Sequence, residues 1–148
     1  MGLAELAAAV GPDLWLGAAV RRWGADHVVA DSRAEFALGA SMRMAIECDG
    51  TFAGYVALAQ LQGGPAQLEF AVLPRCRGRA LATSAARDLM ARAGRRGIAV
   101  IETRVHADNV ASMAVLRRLG FTPLPPSSWE PTHPAVWRWQ GGSDASRV

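Results

Sequence analysis

The chain has 148 residues, of which 51% are apolar and 20% charged, the size and composition of a single globular domain. Its formal net charge is +3, and all sixteen basic residues are arginine. The absence of lysine excludes Schiff-base chemistry and a phosphate-binding loop of the GKS type. An uncharged stretch, residues 53–68, is interrupted by Gly63, Gly64 and Pro65 and falls short of a membrane span, so we do not expect a membrane protein.

The N-terminus has no basic region before its apolar residues and already carries Glu5, which disfavours a secretory signal. We therefore expect a cytoplasmic protein. The two cysteines, Cys48 and Cys76, lack a CxxC spacing, and three scattered histidines do not form a ligand set. No metal site is expected.

Apolar periodicity and turn residues predict two helices followed by three strands in the first half of the chain. The segment 27–40 is ambiguous. The expected elements are helices over 3–10 and 13–23, strands over 42–48 and 53–61 around the Asp49-Gly50 turn, and a strand over 67–73 that Pro74 ends.

The second half predicts a βαβ unit followed by a further helix. Apolar residues at helical spacing begin at Leu81, and Gly94 ends this predicted helix. A largely apolar strand of the buried parallel type follows over 98–105. Asp108 or Asn109 caps the next helix, which runs to Leu119 with Gly120 at its end. We expect a closing hairpin over 121–140 and a disordered tail over 141–148.

Positive charge is concentrated around the turn that precedes the first helix of this unit. Residues 75–96 contain seven arginines and a single acid, Asp88, which implies an anionic partner. Nucleic acid is disfavoured because no aromatic residues are interleaved with the arginines. A helix N-terminus after such a turn favours a phosphate-bearing small molecule, although a solvated helix face remains an alternative for Arg87, Arg92, Arg95 and Arg96.

Two motifs resemble those of a known family. The turn Val72-Leu-Pro-Arg-Cys-Arg-Gly-Arg-Ala-Leu-Ala82 is similar to the acyl-CoA signature R/Q-x-x-G-x-G/A of the GNAT superfamily of N-acetyltransferases, with Ala80 where the family usually has glycine. The segment from Asn109 to Phe121 resembles the second GNAT motif, in the form N-x-x-S-x-x-V-L-x-x-L-G-F of the subgroup that acetylates ribosomal-protein N-termini.

The resemblance implies one α/β domain over residues 1–140, with a mixed central sheet and helices on both faces. The strand before the signature would splay from its parallel neighbour, so that backbone groups near Val72 and Leu73 pair with the pantetheine arm of acetyl-CoA, the implied co-substrate. Asn109, which could also be only a helix cap, would approach the pantetheine or its sulfur. Backbone N–H groups of the turn would hold the pyrophosphate, at Arg77, Gly78, Arg79, Ala80, Leu81 and Ala82.

The implied reaction is direct attack of an amine on the thioester in a ternary complex, with no acyl-enzyme. Leu116 stands where many relatives have a tyrosine that protonates the thiolate, which leaves Ser112, water or no specific group for that step. Glu69, a carboxylate in an apolar strand, is the first choice for the base, acting through a water molecule. Glu102 and His106 are the alternatives.

The acceptor is expected to be a small-molecule or peptide N-terminal amine. The tryptophans near both ends of the chain leave open an acceptor cleft, core packing or a homodimer interface. Ala80 and Leu116 differ from the residues usual at these positions of the family motifs. These differences leave a second possibility, a catalytically silent acyl-CoA-binding or regulatory module with a GNAT fold.

Overall fold

The computed structural model describes residues 30, 33, 34, 36–60, 63–125 and 134–141. The helices expected over 3–10 and 13–23 and the tail over 142–148 lie outside these ranges. The elements in chain order are β1 (Met42–Cys48), β2 (Thr51–Ala59), β3 (Ala66–Val72), a 3-10 turn (Pro74–Cys76), α1 (Leu81–Arg95), β4 (Val100–Val105), α2 (Val110–Leu119), β5 (Thr122–Pro123) and β6 (Ala135–Gln140).

The expected hairpin joins β1 and β2. Asp49 and Gly50 have φ angles of 53° and 77°, the pair of positive values that a two-residue hairpin turn requires. So short a turn places Thr51 directly opposite Cys48 in the ladder. β2 therefore runs over Thr51–Ala59, and the prediction of a strand over 53–61 was two residues late at both ends.

The six strands form one mixed sheet in the order β1-β2-β3-β4-β6-β5, which confirms the predicted mixed α/β fold. Neighbouring strands are antiparallel except for β3 and β4. These two are parallel and pair only at Ala66 with Ile101 and at Gln67 with Glu102. Beyond that point they separate, so the sheet opens on the carboxyl side of both strands.

β4 differs from the strand expected over 98–105. It begins at Val100, and it has one parallel neighbour, β3, and one antiparallel neighbour, β6. Its side chains alternate, with Ile101, Thr103 and Val105 buried and Arg104 exposed. The strand is therefore not of the continuously buried parallel type, because only one of its faces packs into the core.

Helices α1 and α2 begin where the sequence predicts. α1 buries Ala86, Leu89, Met90 and Ala93, but it continues through Gly94 to Arg95. The glycine that takes a positive φ after the helix is Gly97, at 85°, which corrects the predicted end at Gly94.

In α2, the Asn109 side chain accepts a hydrogen bond of 3.1 Å from the Ser112 N–H, as a helix cap does. Gly120 ends this helix with a φ of 91°, as predicted. Leu116 is buried among the core residues, with 1% of its surface exposed.

The predicted closing hairpin is present as a short pairing. Thr122 and Pro123 of β5 lie antiparallel to Arg138 and Trp137 of β6. Tyr55 is buried, as expected for a packed aromatic residue. Neither α1 nor α2 is long and apolar enough to cross a lipid bilayer.

Candidate functional site

The separation of β3 from β4 opens a cleft of about 920 Å³. Because the two strands are parallel, the turn after β3 and the segment after β4 meet at this edge of the sheet, where ligands of α/β proteins commonly bind. The lining residues come from the end of β3, the turn before α1, the first turn of α1 and one face of α2.

Eight residues predicted from the sequence lie together in this cleft, although the turn and α2 are far apart in the chain. They are Val72, Arg77, Gly78, Ala80, Leu81, Ala82, Asn109 and Ser112. Three predicted residues, Leu73, Arg79 and Glu69, do not line it.

The N-terminus of α1 faces the cleft without a side-chain cap. The first helical hydrogen bond runs from Ser84 N–H to the Ala80 carbonyl, so the N–H groups of the three preceding residues take no part in the helix ladder. No acidic residue lies in the first turn. The partial positive charge of the helix end is therefore available to an anionic group in the cleft.

Ala80, at the position where the signature usually has glycine, has a left-handed backbone conformation with φ 56° and ψ 24°. That conformation costs an alanine roughly 1–2 kcal/mol and a glycine very little. The turn therefore has the backbone shape for which glycine is suited, although the residue is alanine. Gly78, two residues earlier, has a φ of 81° and open space where a side chain would begin.

Thr83 is a cleft residue that the sequence analysis did not single out. It is 6% exposed and lines the cleft, and its buried Oγ1 atom makes no hydrogen bond within the described part of the chain. An unsatisfied buried hydroxyl costs roughly 1–3 kcal/mol, which a ligand oxygen at this position would recover. The available signal was a hydroxyl residue directly after Ala82, in the first turn of the helix.

Backbone groups of Val72 and Leu73, at the end of β3, are hydrogen-bonded within the chain. Val72 lines the cleft, and its carbonyl oxygen accepts a hydrogen bond of 3.2 Å from Nε of Arg77. The Leu73 N–H is bonded to Ala53, and its carbonyl accepts from Cys76. The N–H and the carbonyl of Leu73 thus both have hydrogen-bond partners within the chain. They do not add to the backbone groups that Val72 offers at the cleft.

The side chain of Arg79 points away from the cleft. Its Nη1 lies 3.2 Å from Oδ2 of Asp49 and 3.2 Å from Sγ of Cys48, at the β1–β2 turn. These hydrogen bonds raise the pKa of Arg79, which stays charged in any case. The guanidinium therefore joins the signature turn to the first hairpin rather than to the cleft.

Glu69 lies half-buried on β3, on the face opposite Val72. Glu69 pairs with Ala57 of β2. On its other side, Ala57 pairs with Arg43 of β1. The Glu69 carboxylate lies beside the buried hydroxyl of Tyr55, and burial together with this carboxylate raises the pKa of Tyr55. Tyr55 thus stays protonated.

The alternative bases have different surroundings. Oε1 of Glu102 accepts hydrogen bonds from both Nε and Nη2 of Arg138, the first at 2.9 Å. This ion pair ties β4 to β6 and engages the carboxylate. His106 is exposed just after β4, three residues before Asn109.

The chain matches the family model described as Acetyltransferase (GNAT) domain over residues 5–122. It is 39% identical over 84 residues to the mycothiol acetyltransferase of Nocardia farcinica (strain IFM 10152), a match that covers 56% of this chain and 26% of that protein. The chain thus spans about a quarter of the length of this relative.

Solved structures of low sequence identity share the fold. The PaiA N-acetyltransferase of Thermoplasma acidophilum in complex with coenzyme A has a TM-score of 0.73 at 12% identity, and 94% of this chain and 89% of that chain are covered. RimJ of Mycobacterium smegmatis with CoA-disulfide has a TM-score of 0.70 at 21% identity, covering 88% and 67%. A ribosomal-protein-alanine N-acetyltransferase of Brucella melitensis has a TM-score of 0.66 at 17% identity, covering 78% and 77%. Because the family model spans most of the chain, this protein belongs to the GNAT acetyltransferases.

Proposed function

We propose that the cleft binds acetyl-CoA and that the protein transfers the acetyl group to an amine by direct attack in a ternary complex. The observation that carries the proposal is the uncapped N-terminus of α1, with the buried Thr83 hydroxyl beside it, in a cleft between separating strands. Backbone N–H groups at a helix end and a hydroxyl donor are groups that bind a diphosphate. Relatives with the same fold were crystallised with coenzyme A or acetyl-CoA.

In this proposal the pantetheine arm lies along the end of β3, with Val72 on one side and Asn109 and Ser112 on the other. The amine attacks the thioester carbonyl carbon, the carbon–sulfur bond breaks, and the thiolate takes a proton from Ser112 or water. Holding the two reactants in line removes most of the entropic part of the barrier, so a dedicated acid is dispensable for a leaving group as acidic as a thiol.

Glu69 is proposed as the base that accepts the ammonium proton through a water molecule. Glu69 itself does not line the cleft, although Ala71 on the same face of β3 does. The acceptor amine would therefore approach Glu69 past β3 rather than along the pantetheine. The carboxylate lies beside the buried hydroxyl of Tyr55.

The acceptor is proposed to be a primary amine of a small molecule or of a peptide N-terminus. The named relatives point to both kinds, a mycothiol acetyltransferase and a ribosomal-protein-alanine N-acetyltransferase. The cytoplasmic location and a homodimer stay predictions from the sequence.

A turnover assay tests the activity. Release of the CoA thiol from acetyl-CoA is measured with a panel of small amines and of peptides with free N-termini, each against the same acceptor acetylated in advance. Amine-dependent release supports the transferase. CoA binding without turnover on any amine would favour the silent acyl-CoA-binding module instead.

Thr83 gives a test of the binding site that does not require the acceptor. Thr83→Val removes the hydroxyl at nearly unchanged size, and we expect CoA affinity to fall about fivefold while the melting temperature without ligand stays equal or rises. Ser84→Ala is the control, because Ser84 is exposed and lies outside the cleft lining. Equal CoA affinity in both variants would remove Thr83 from the binding site.

A further inference from the structure

A bulge in β2 lies beside the last residues of β3. The register of β1 and β2 shifts between Ile46 and Glu47, which leaves Ala53 as an extra residue of β2. A bulge bends its strand, increases the local twist and often lies next to a functional site. This one is level with the edge of the cleft, because the next residue, Gly54, pairs with Val72 of β3.

Gly54 is buried and has no room for a side chain. A Cβ atom built on it would overlap the carbonyl oxygen of Ala71 and would lie 2.9 Å from Cα of Val72. Both neighbours are backbone atoms of β3, so rotation of a side chain cannot relieve the overlap. Ala71 and Val72 line the cleft, and the peptide that joins them would have to shift if Gly54 gained a side chain.

The end of β3 is held from the side of β2. The ladder to β4 stops at Gln67, and the Thr103 hydroxyl donates to the Leu68 carbonyl one residue later. On the side of β2, the Leu73 N–H donates a hydrogen bond of 2.7 Å to the carbonyl of Ala53, the extra residue of the bulge. Because β4 has separated from β3 by then, the contacts with β2 set the course of β3 along the cleft.

We propose that Gly54 is a positioning residue for the pantetheine arm of coenzyme A. Its missing side chain lets the Ala71–Val72 peptide lie against β2, which leaves room for the arm beside β3. A side chain on Gly54 would push this peptide away from β2, toward the space where the arm is bound. The inference rests on the proposed function, because it assumes that coenzyme A occupies the cleft. The nucleotide half of the ligand, at the N-terminus of α1, should be unaffected.

Binding of CoA and of its nucleotide half, adenosine 3′-phosphate 5′-diphosphate, separates this role from a merely structural one. Only CoA carries the pantetheine arm, so we expect the wild type to bind CoA more tightly, as measured by calorimetry. Gly54→Ala should weaken CoA binding about tenfold, the equivalent of one net hydrogen bond. The affinity of this variant for the nucleotide should equal that of the wild type.

The control is Leu58→Ala, which destabilises the same strand away from the cleft. Leu58 lies four residues after Gly54, on the same face of β2, and it is fully buried without lining the cleft. Its truncation should lower the melting temperature and leave both affinities unchanged below that temperature. All three proteins are measured in sucrose, which favours the folded state, if Gly54→Ala is too unstable in buffer alone.

Hydrogen exchange of the wild type adds a test that needs no variant. The Leu73 amide should exchange as slowly as the amides inside the β2–β3 ladder, because it is bonded to Ala53. Exchange at the rate of an unprotected amide would show that the end of β3 is not held against the bulge, and would overturn the proposal.

Three binding results would also overturn it. They are a wild type that binds both ligands equally, a Gly54→Ala variant whose CoA affinity is unchanged or falls by the same factor as its nucleotide affinity, and a Leu58→Ala variant that loses CoA affinity as Gly54→Ala does. A wild type that binds neither ligand would instead contradict the proposed function itself.

Discussion

The hydroxyl of Thr103 donates a hydrogen bond of 2.9 Å to the carbonyl oxygen of Leu68, at the point where β3 and β4 separate. The last ladder pair of the two strands is Gln67 with Glu102, one residue earlier on each strand. A side chain thus takes the place of the next backbone donor. The buried carbonyl is satisfied while the strands diverge, so the cleft begins without an orphaned acceptor.

Thr103→Val should therefore destabilise the fold by about 1–3 kcal/mol, the cost of leaving a buried carbonyl without its donor. Thr51→Val is a matched control, because the Thr51 hydroxyl also donates to a backbone carbonyl at 2.9 Å but is exposed. Denaturant unfolding measures both. Equal, small losses for the two variants would show that the Thr103 hydrogen bond is not needed at the strand separation.

Ala80→Gly should stabilise the protein by roughly 1 kcal/mol, because glycine adopts the left-handed conformation of this position without strain. Ala91→Gly, at an exposed position inside α1, should lose a similar amount. Stability changes of opposite sign for the same alanine-to-glycine substitution would identify backbone conformation as the cause. A loss of stability in both variants would contradict the strained turn.

Gly78→Glu should abolish CoA binding, because a carboxylate would enter the region of the proposed pyrophosphate site. The φ of 81° makes any side chain there strained, so part of the stability will also be lost. Gly97→Glu is matched to it, with a φ of 85°, open space and a position outside the cleft. CoA should raise the melting temperature of the Gly97→Glu variant and leave that of Gly78→Glu unchanged. Retained CoA binding in Gly78→Glu would remove the turn from the site.

Glu69→Gln should lower kcat/KM steeply at neutral pH and much less at high pH. A carboxylate acts as a base only when deprotonated, and it is needed only while the acceptor amine still carries its proton. As pH rises through the amine pKa, the amine loses that proton unaided, so the variant should approach the wild type. Glu102→Gln, which breaks the ion pair with Arg138, should instead affect stability without changing the shape of the pH profile. An equal loss at every pH would make Glu69 a structural or acceptor-binding group.

Leu116→Tyr tests whether the missing acid limits the rate. If thiolate departure is fast, kcat should stay within a few-fold of the wild type, measured per folded molecule. Leu116 is 1% exposed and does not line the cleft, so the larger ring should cost about 1–3 kcal/mol of stability. A large gain in turnover would contradict a competent enzyme without this acid and would favour the silent module.

The sequence by itself determined the βαβ unit and the two segments that form the cleft. Turn and helix-cap residues act over short distances in the chain. The Asp49-Gly50 turn, the Asn109 cap and Gly120 each specify a backbone conformation within a few residues. The motif around Arg77 could be read for the same reason, since a turn followed by a helix N-terminus is a local arrangement.

The tertiary structure decided which other residues those segments contact. The two-pair ladder between β3 and β4 depends on residues 35 positions apart, and no local pattern reports where it stops. The ion pair of Glu102 and the turn of Arg79 toward Asp49 also depend on distant strands meeting. The same holds for the place of Thr83 in the cleft. The burial of its side chain is set by elements remote in the chain.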